Sequence, residues 1–151
     1  MPVAIKRVYE KPSRSDGTRV LVDRLWPRGL SKEDAVLDAW LRDLAPSDNL
    51  RKWYHENGGA WEMFRRRYLK ELTVTDAAES LDKLYELAGK RKRLTLLYSS
   101  RNQVRNNAVV LKELKLEEGM RLGDLVEVLP SRMRDYIIIR VRPFSETNVV
   151  I

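Results

Sequence analysis

Arg19-Val20-Leu21-Val22-Asp23-Arg24-Leu25, followed by Trp26-Pro27-Arg28-Gly29, reads as a strand that ends in a polar junction. Its Val-Leu-Val run does not alternate with polar residues. That predicts burial on both faces, as in a parallel strand covered by helices. Pro27 and Gly29 stop the strand. Ser31, with Asp34 three residues on, then starts a helix in a capping-box-like arrangement. Leu37, Trp40, Leu41 and Leu44 share one face of that predicted helix, and Pro46 ends it.

Working outward, Ala4–Tyr9 reads as a shorter strand, and Glu10–Gly17 is a loop by its Pro, Ser, Asp and Gly content. Ser47 or Asp48 caps a short helix that carries Leu50, Trp53 and Tyr54 and stops at Gly58-Gly59. Trp61, Phe64, Tyr68 and Leu72 fall on one stripe of the next helix. Ala77, Leu81, Leu84, Tyr85 and Ala88 do the same on a helix from Thr75 to Gly89. At this spacing the aromatics belong to a core rather than to a base-stacking platform. Leu94-Thr95-Leu96-Leu97-Tyr98 is a third strand, running through Ser99-Ser100-Arg101 into a helix from about Asn102 to Lys115.

Beyond Gly119 and Gly123 the pattern changes. Asp124–Leu129 and Tyr136–Arg142 read as strands around Pro130-Ser131, with Asn148–Ile151 a third. Charge divides at the same place. Residues 1–115 hold 24 basic and 16 acidic side chains, a balance of +8, and residues 116–151 hold 5 and 6, a balance of −1. The expected architecture is an α/β domain over 1–115, a small mostly parallel sheet with helices packed on it. A C-terminal β extension over 116–151 would pack on that domain or on a partner subunit. Tyr136-Ile137-Ile138-Ile139 would be a hazardous bare edge, so it needs the main sheet, itself or a second copy.

Composition narrows the chemistry. The 151 residues carry 43% hydrophobic and 34% charged side chains, enough to bury a core. No apolar run approaches a membrane span of roughly 20 residues, and Met1-Pro2-Val3-Ala4 does not open a signal peptide. A cytoplasmic protein is expected. With no Cys, thiol nucleophiles and thiolate metal sites are excluded. With His55 alone, so is any site needing two imidazoles. No metal and no cofactor are expected. Of the 29 basic residues 19 are Arg, the better bidentate partner for phosphate and carboxylate.

If the second and third strands are parallel neighbours, both of their exits lie at the sheet's carboxyl edge, where open α/β sheets bind ligands. Arg24, Trp26 and Arg28 come from the first exit, and Ser99, Arg101, Arg105, Asn106 and Asn107 from the second. These are the candidate ligand-binding residues, for a phosphate-bearing small molecule or nucleic acid. Each has a plainer role: Asp23 and Arg24 as an ion pair, Asn102 as a helix cap, Asn106 or Asn107 as a loop anchor. The runs Arg65-Arg66-Arg67 and Lys90-Arg91-Lys92-Arg93 add positive surface, but no Gly-rich phosphate loop or base-reading motif accompanies them. Two other readings compete. One is a small metal-independent enzyme on an anionic substrate, with Asp23 as general base and Tyr98 as auxiliary donor. The other is an assembly protein, a homodimer through its C-terminal strands.

RVLVDRLWPRGL (Arg19–Leu30), LDAWLRDLAPS (Leu37–Ser47), LRKWY (Leu50–Tyr54), LTLLYSSRN (Leu94–Asn102) and NNAVVL (Asn106–Leu111) together resemble the YeaO-like family, domain of unknown function 488. The resemblance covers about residues 3–115 and implies a small α/β domain, with no established activity. It also implies an acidic residue where this chain has Asn102 and a His where it has Arg105. Acid–base or metal chemistry at that point is therefore not expected here, whereas anion binding survives the change.

Overall fold

The structure, a computed structural model, describes residues 3–89 and 93–114. Four strands, β1 (Val3–Arg7), β2 (Thr18–Leu21), β3 (Ala39–Trp40) and β4 (Leu94–Tyr98), form one sheet in the order β1-β4-β2-β3, with every pair parallel. β4 is central, with Leu96 opposite Ile5 on one side and Val20 on the other. All five of its residues are buried, as its apolar sequence predicts.

Alternation along the strands sorts side chains to two faces. Val20, Val22, Leu94, Leu96 and Tyr98 join the large core. There they meet α2 (Asp48–Glu56), α3 (Trp61–Glu71), α4 (Thr75–Ala88) and α5 (Asn107–Lys112) through Leu50, Phe64, Tyr68, Leu81, Leu84 and Leu111. Val8, Leu21 and Leu97 face the opposite side under a smaller lid of Trp26, Leu30, Leu37 and Trp40. The lid's two indoles pack edge to face, with centroids 5.4 Å apart.

The helix predicted through Leu37–Leu44 is a correction. The helix that Ser31 caps, α1, covers only Lys32–Ala35 and ends at Val36 in the left-handed region (φ 49°). The chain then enters the sheet, with Asp38 N–H donating to the Arg19 carbonyl and Leu41 N–H to that of Leu21. Leu37 and Trp40 go to the lid while Leu41 and Leu44 go to the main core, so residues at helical spacing are split between opposite faces. The last helix also starts later than expected. Asn102 Oδ1 accepts from the N–H groups of Val104 and Arg105 in a turn, and Asn106, in extended conformation, caps α5. The C-terminal strands and the dimer predicted from them lie outside the described residues.

At the opposite end of the strands, Asp16 and Arg19 form a buried ion pair (2.6 Å), and Lys6 reaches the same carboxylate at 3.1 Å. Arg19 Nη2 and Nε donate to the carbonyls of Ala35 and Val36, which holds Val36 in its strained conformation. Gly17 (φ 65°) has no alternative: a Cβ there would lie 2.0 Å from the Arg93 carbonyl oxygen that Thr18 N–H uses.

Two outcomes follow. Val36→Gly relieves a left-handed β-branched residue on the surface and should raise unfolding free energy by about 1 kcal/mol in urea titration. A neutral or negative change would mean that the strain is not real. Burial alone would raise the Asp16 carboxyl. The Ser13 N–H, Lys6 and Arg19 outweigh that and hold it below its ordinary 3.8. A depressed folded value means the stabilisation is complete above the ordinary value and is lost as pH falls through it towards the folded one. Asp16→Ala should cost about 3 kcal/mol at neutral pH, because it strands a buried guanidinium. The difference from the parent should shrink on acidification below that value, measured by denaturation at stepped pH.

Candidate functional site

Because β2 and β4 are parallel neighbours, their exits meet at one edge. Asp23, just past β2, is absorbed there by the scaffold. Its Oδ2 accepts from Ser99 N–H (2.8 Å) and Ser99 Oγ (2.7 Å), and its Oδ1 accepts from Asn107 Nδ2 (3.0 Å). The same Asn107 amide donates to the Val22 carbonyl, and the Trp40 indole donates to the Asp23 carbonyl. One carboxylate thus ties β2, the end of β4 and the start of α5 together. Arg24 turns away from it, donating to the carbonyls of Ala45 and Pro46 (3.2 and 3.4 Å). The two do not form the ion pair that their adjacency suggests.

Trp26 donates to the Leu30 carbonyl and closes its own loop. Asn106, buried, donates to the Asn102 carbonyl and accepts from Val109 N–H as the α5 cap. Tyr98 is 2% exposed. Burial, and then the Glu10 carboxylate, push its phenol up, against Arg7 and a hydrogen bond with Asn106, so it stays protonated at neutral pH. These groups are committed. Arg28, Arg101 and Arg105 differ: each side chain is exposed and has no partner among the described residues. Of Arg28 itself, the backbone carbonyl accepts from the Tyr9 hydroxyl at 2.9 Å.

Sequence reasoning missed the polar cluster behind this edge. Glu71 accepts from Ser47 N–H and Oγ (2.8 and 2.6 Å), while that Oγ also caps α2 at Leu50 N–H. The Tyr68 hydroxyl donates to the Leu44 carbonyl. Burial first, then Asp23 and Glu71, drive the Tyr68 phenol far up, with Arg24 opposing. Ser47 was readable as a cap, but nothing in the spacing connects it to Glu71.

The run Arg65-Arg66-Arg67 divides three ways. Arg65 pairs with Glu113 at 2.7 Å, and Arg67 lies over the Trp53 ring at 4.2 Å. Arg66 lines a cleft of about 470 Å³ together with Trp61, Glu62, Met63 and Arg105. In the second basic run Arg93 is exposed, and residues 90–92 lie outside the described residues. His55 is exposed on the last turn of α2. No metal-ligating cluster occurs among the described residues, nor any helix long and apolar enough to cross a membrane.

A family model described as the inactive DUF488-N3 subclade matches residues 2–127. The chain belongs to the DUF488 family. The match continues past Lys115, where the motif resemblance stops. The uncharacterized protein YeaO of Escherichia coli is 43% identical over 113 residues, 75% of this chain and 96% of the relative. The uncharacterized protein Rv3073c of Mycobacterium tuberculosis is 42% identical over 112 residues, 74% and 92%. No solved structure matches significantly.

Removing the Asp23 carboxylate strands the Ser99 N–H and the Asn107 amide. Asp23→Ala should therefore destabilise the chain by about 2 kcal/mol in urea unfolding. Unchanged stability would return Asp23 to the list of groups free for chemistry.

Proposed function

We propose that this chain is a cytoplasmic, non-catalytic binding module for an anionic, phosphate-bearing ligand, small molecule or nucleic acid, held at the carboxyl edge of the sheet. One observation carries the reading. At an edge where Asp23, Arg24, Ser99, Asn106 and Asn107 are all spent on the scaffold, Arg28, Arg101 and Arg105 are left exposed and unpartnered among the described residues. Guanidinium groups bind phosphate oxygens through paired N–H donors and keep their charge at any physiological pH.

Asp23 as general base fits less well. A base needs a lone pair facing substrate, and three scaffold hydrogen bonds already occupy most of this carboxylate's lone pairs, both of those on Oδ2 and one on Oδ1. The description of the family model as an inactive subclade supports the same preference. Assembly through the C-terminal strands has no observation among the described residues in its favour.

Titration of the full chain with a mixed-sequence duplex oligonucleotide and with a mononucleotide, at stepped salt, tests the proposal. Binding should weaken as salt rises, with each phosphate contact adding about 0.9 to the log–log slope on duplex DNA. Arg28→Ala, Arg101→Ala and Arg105→Ala should each reduce that slope by about one contact and leave the unfolding midpoint unchanged. No binding of either probe at low salt sinks the proposal.

A further inference from the structure

The cleft beside α3 has a chemistry that the sheet edge lacks. Two arginines from separate elements, Arg66 on α3 and Arg105 on the β4–α5 connection, line one space of about 470 Å³. Neither arginine has a partner among the described residues, although the chain neighbours of Arg66 are both engaged, Arg65 by Glu113 and Arg67 by Trp53. Glu62, on the same lining, supplies one negative charge against two positive ones. The surplus is one positive charge, and two like charges facing one cleft are relieved by an anion between them.

The rest of the lining is apolar. Met63 is 48% exposed, with nothing among the described residues to cover its thioether. Trp61 beside it is held rigidly: its ring stacks on Phe64 (5.6 Å, 24°) and tilts against Tyr54 (6.2 Å, 54°). Gly59 contributes no side chain to the lining. An anionic head alone would use the arginines and leave this wall wet. A head joined to an apolar body would use both.

We propose that this cleft is a second ligand site, for a small phosphate monoester with an aromatic body, its phosphate between Arg66 and Arg105 and its body against Trp61 and Met63. The site shares Arg105 with the sheet edge but needs neither Arg28 nor Arg101, so it rests on the edge reading only through that residue. Both arginines are exposed, and α3 is anchored by Phe64, Tyr68 and Leu69, so substituting either leaves the packing intact.

Calorimetric titration of the full chain at low salt, with phenyl phosphate and with inorganic phosphate, decides it. Phenyl phosphate should bind more tightly than inorganic phosphate, and Met63→Ala should narrow that gap. Arg66→Ala and Arg105→Ala should each weaken phenyl phosphate by about tenfold, the loss of a charge-assisted contact. Arg28→Ala, which touches only the sheet edge, should weaken phenyl phosphate less than Arg66→Ala does, and thermal melts should match the parent throughout. Equal affinity for the two probes, or phenyl phosphate binding that Arg66→Ala does not alter, overturns the proposal. If Arg28→Ala weakens phenyl phosphate while Arg66→Ala does not, the ligand belongs to the sheet edge, so the cleft fails while the edge reading stands. The reverse pattern supports the cleft even if the oligonucleotide titrations show nothing.

Discussion

Leu94–Tyr98 is buried on both faces, so its backbone N–H and C=O groups have no water to turn to and must bond to strands on either side. β1 and β2 supply those partners, both parallel to it. Parallel pairing then has a consequence no side chain chooses: all the strands leave the sheet in the same direction. The first residues after β2 and after β4 are brought together, although they are far apart in sequence. Asp23 and Ser99 meet because of backbone satisfaction in the centre of the sheet, and their hydrogen bonds then lock the edge that pairing created.

That lock divides the polar residues at the edge into two populations. The short side chains Asp23, Ser99, Asn106 and Asn107 reach only their immediate surroundings, and there they find backbone groups left over by strand ends and a helix start. The long side chains of Arg28, Arg101 and Arg105 stay exposed, with no partner among the described residues. Arg24 is the exception that shows the rule, since its fork lies over the Ala45 and Pro46 carbonyls and serves the scaffold. Reach, more than residue type, decides which groups stay available to a ligand.

The sheet's centre was legible from its continuous apolar run, and helices α2, α3 and α4 from one helical stripe each, with glycines marking the ends of α2 and α4. β3 was not. Leu37, Trp40, Leu41 and Leu44 satisfy a helical stripe, yet the chain uses them two by two on opposite faces of the sheet. A two-residue strand has too few positions to show a period of its own, and the left-handed turn at Val36 has no Gly to announce it. At the site, the two junctions were legible because topology follows from the strands. The state of their residues was not. Whether Asp23 is a base or a clamp depends on Asn107 and Ser99, whose distance in sequence hides the contact. The run Arg65-Arg66-Arg67 likewise gives no hint that one member is paired, one stacked and one without a partner among the described residues.

The resemblance to the YeaO-like family puts an acidic residue at position 102 and a His at position 105, and the geometry gives that difference a physical meaning. Asn102 Oδ1 accepts from the N–H groups of Val104 and Arg105, which a carboxylate oxygen would do equally well. Asn therefore keeps the turn while removing a negative charge. Arg105, whose N–H closes that turn, lines the cleft and carries a permanent positive charge where an imidazole would titrate. Both changes move the potential the same way without disturbing the backbone. Arg105 thereby stands as a second cation on the cleft that Arg66 lines. The direction of the charge change is the one that the proposed anion binding requires.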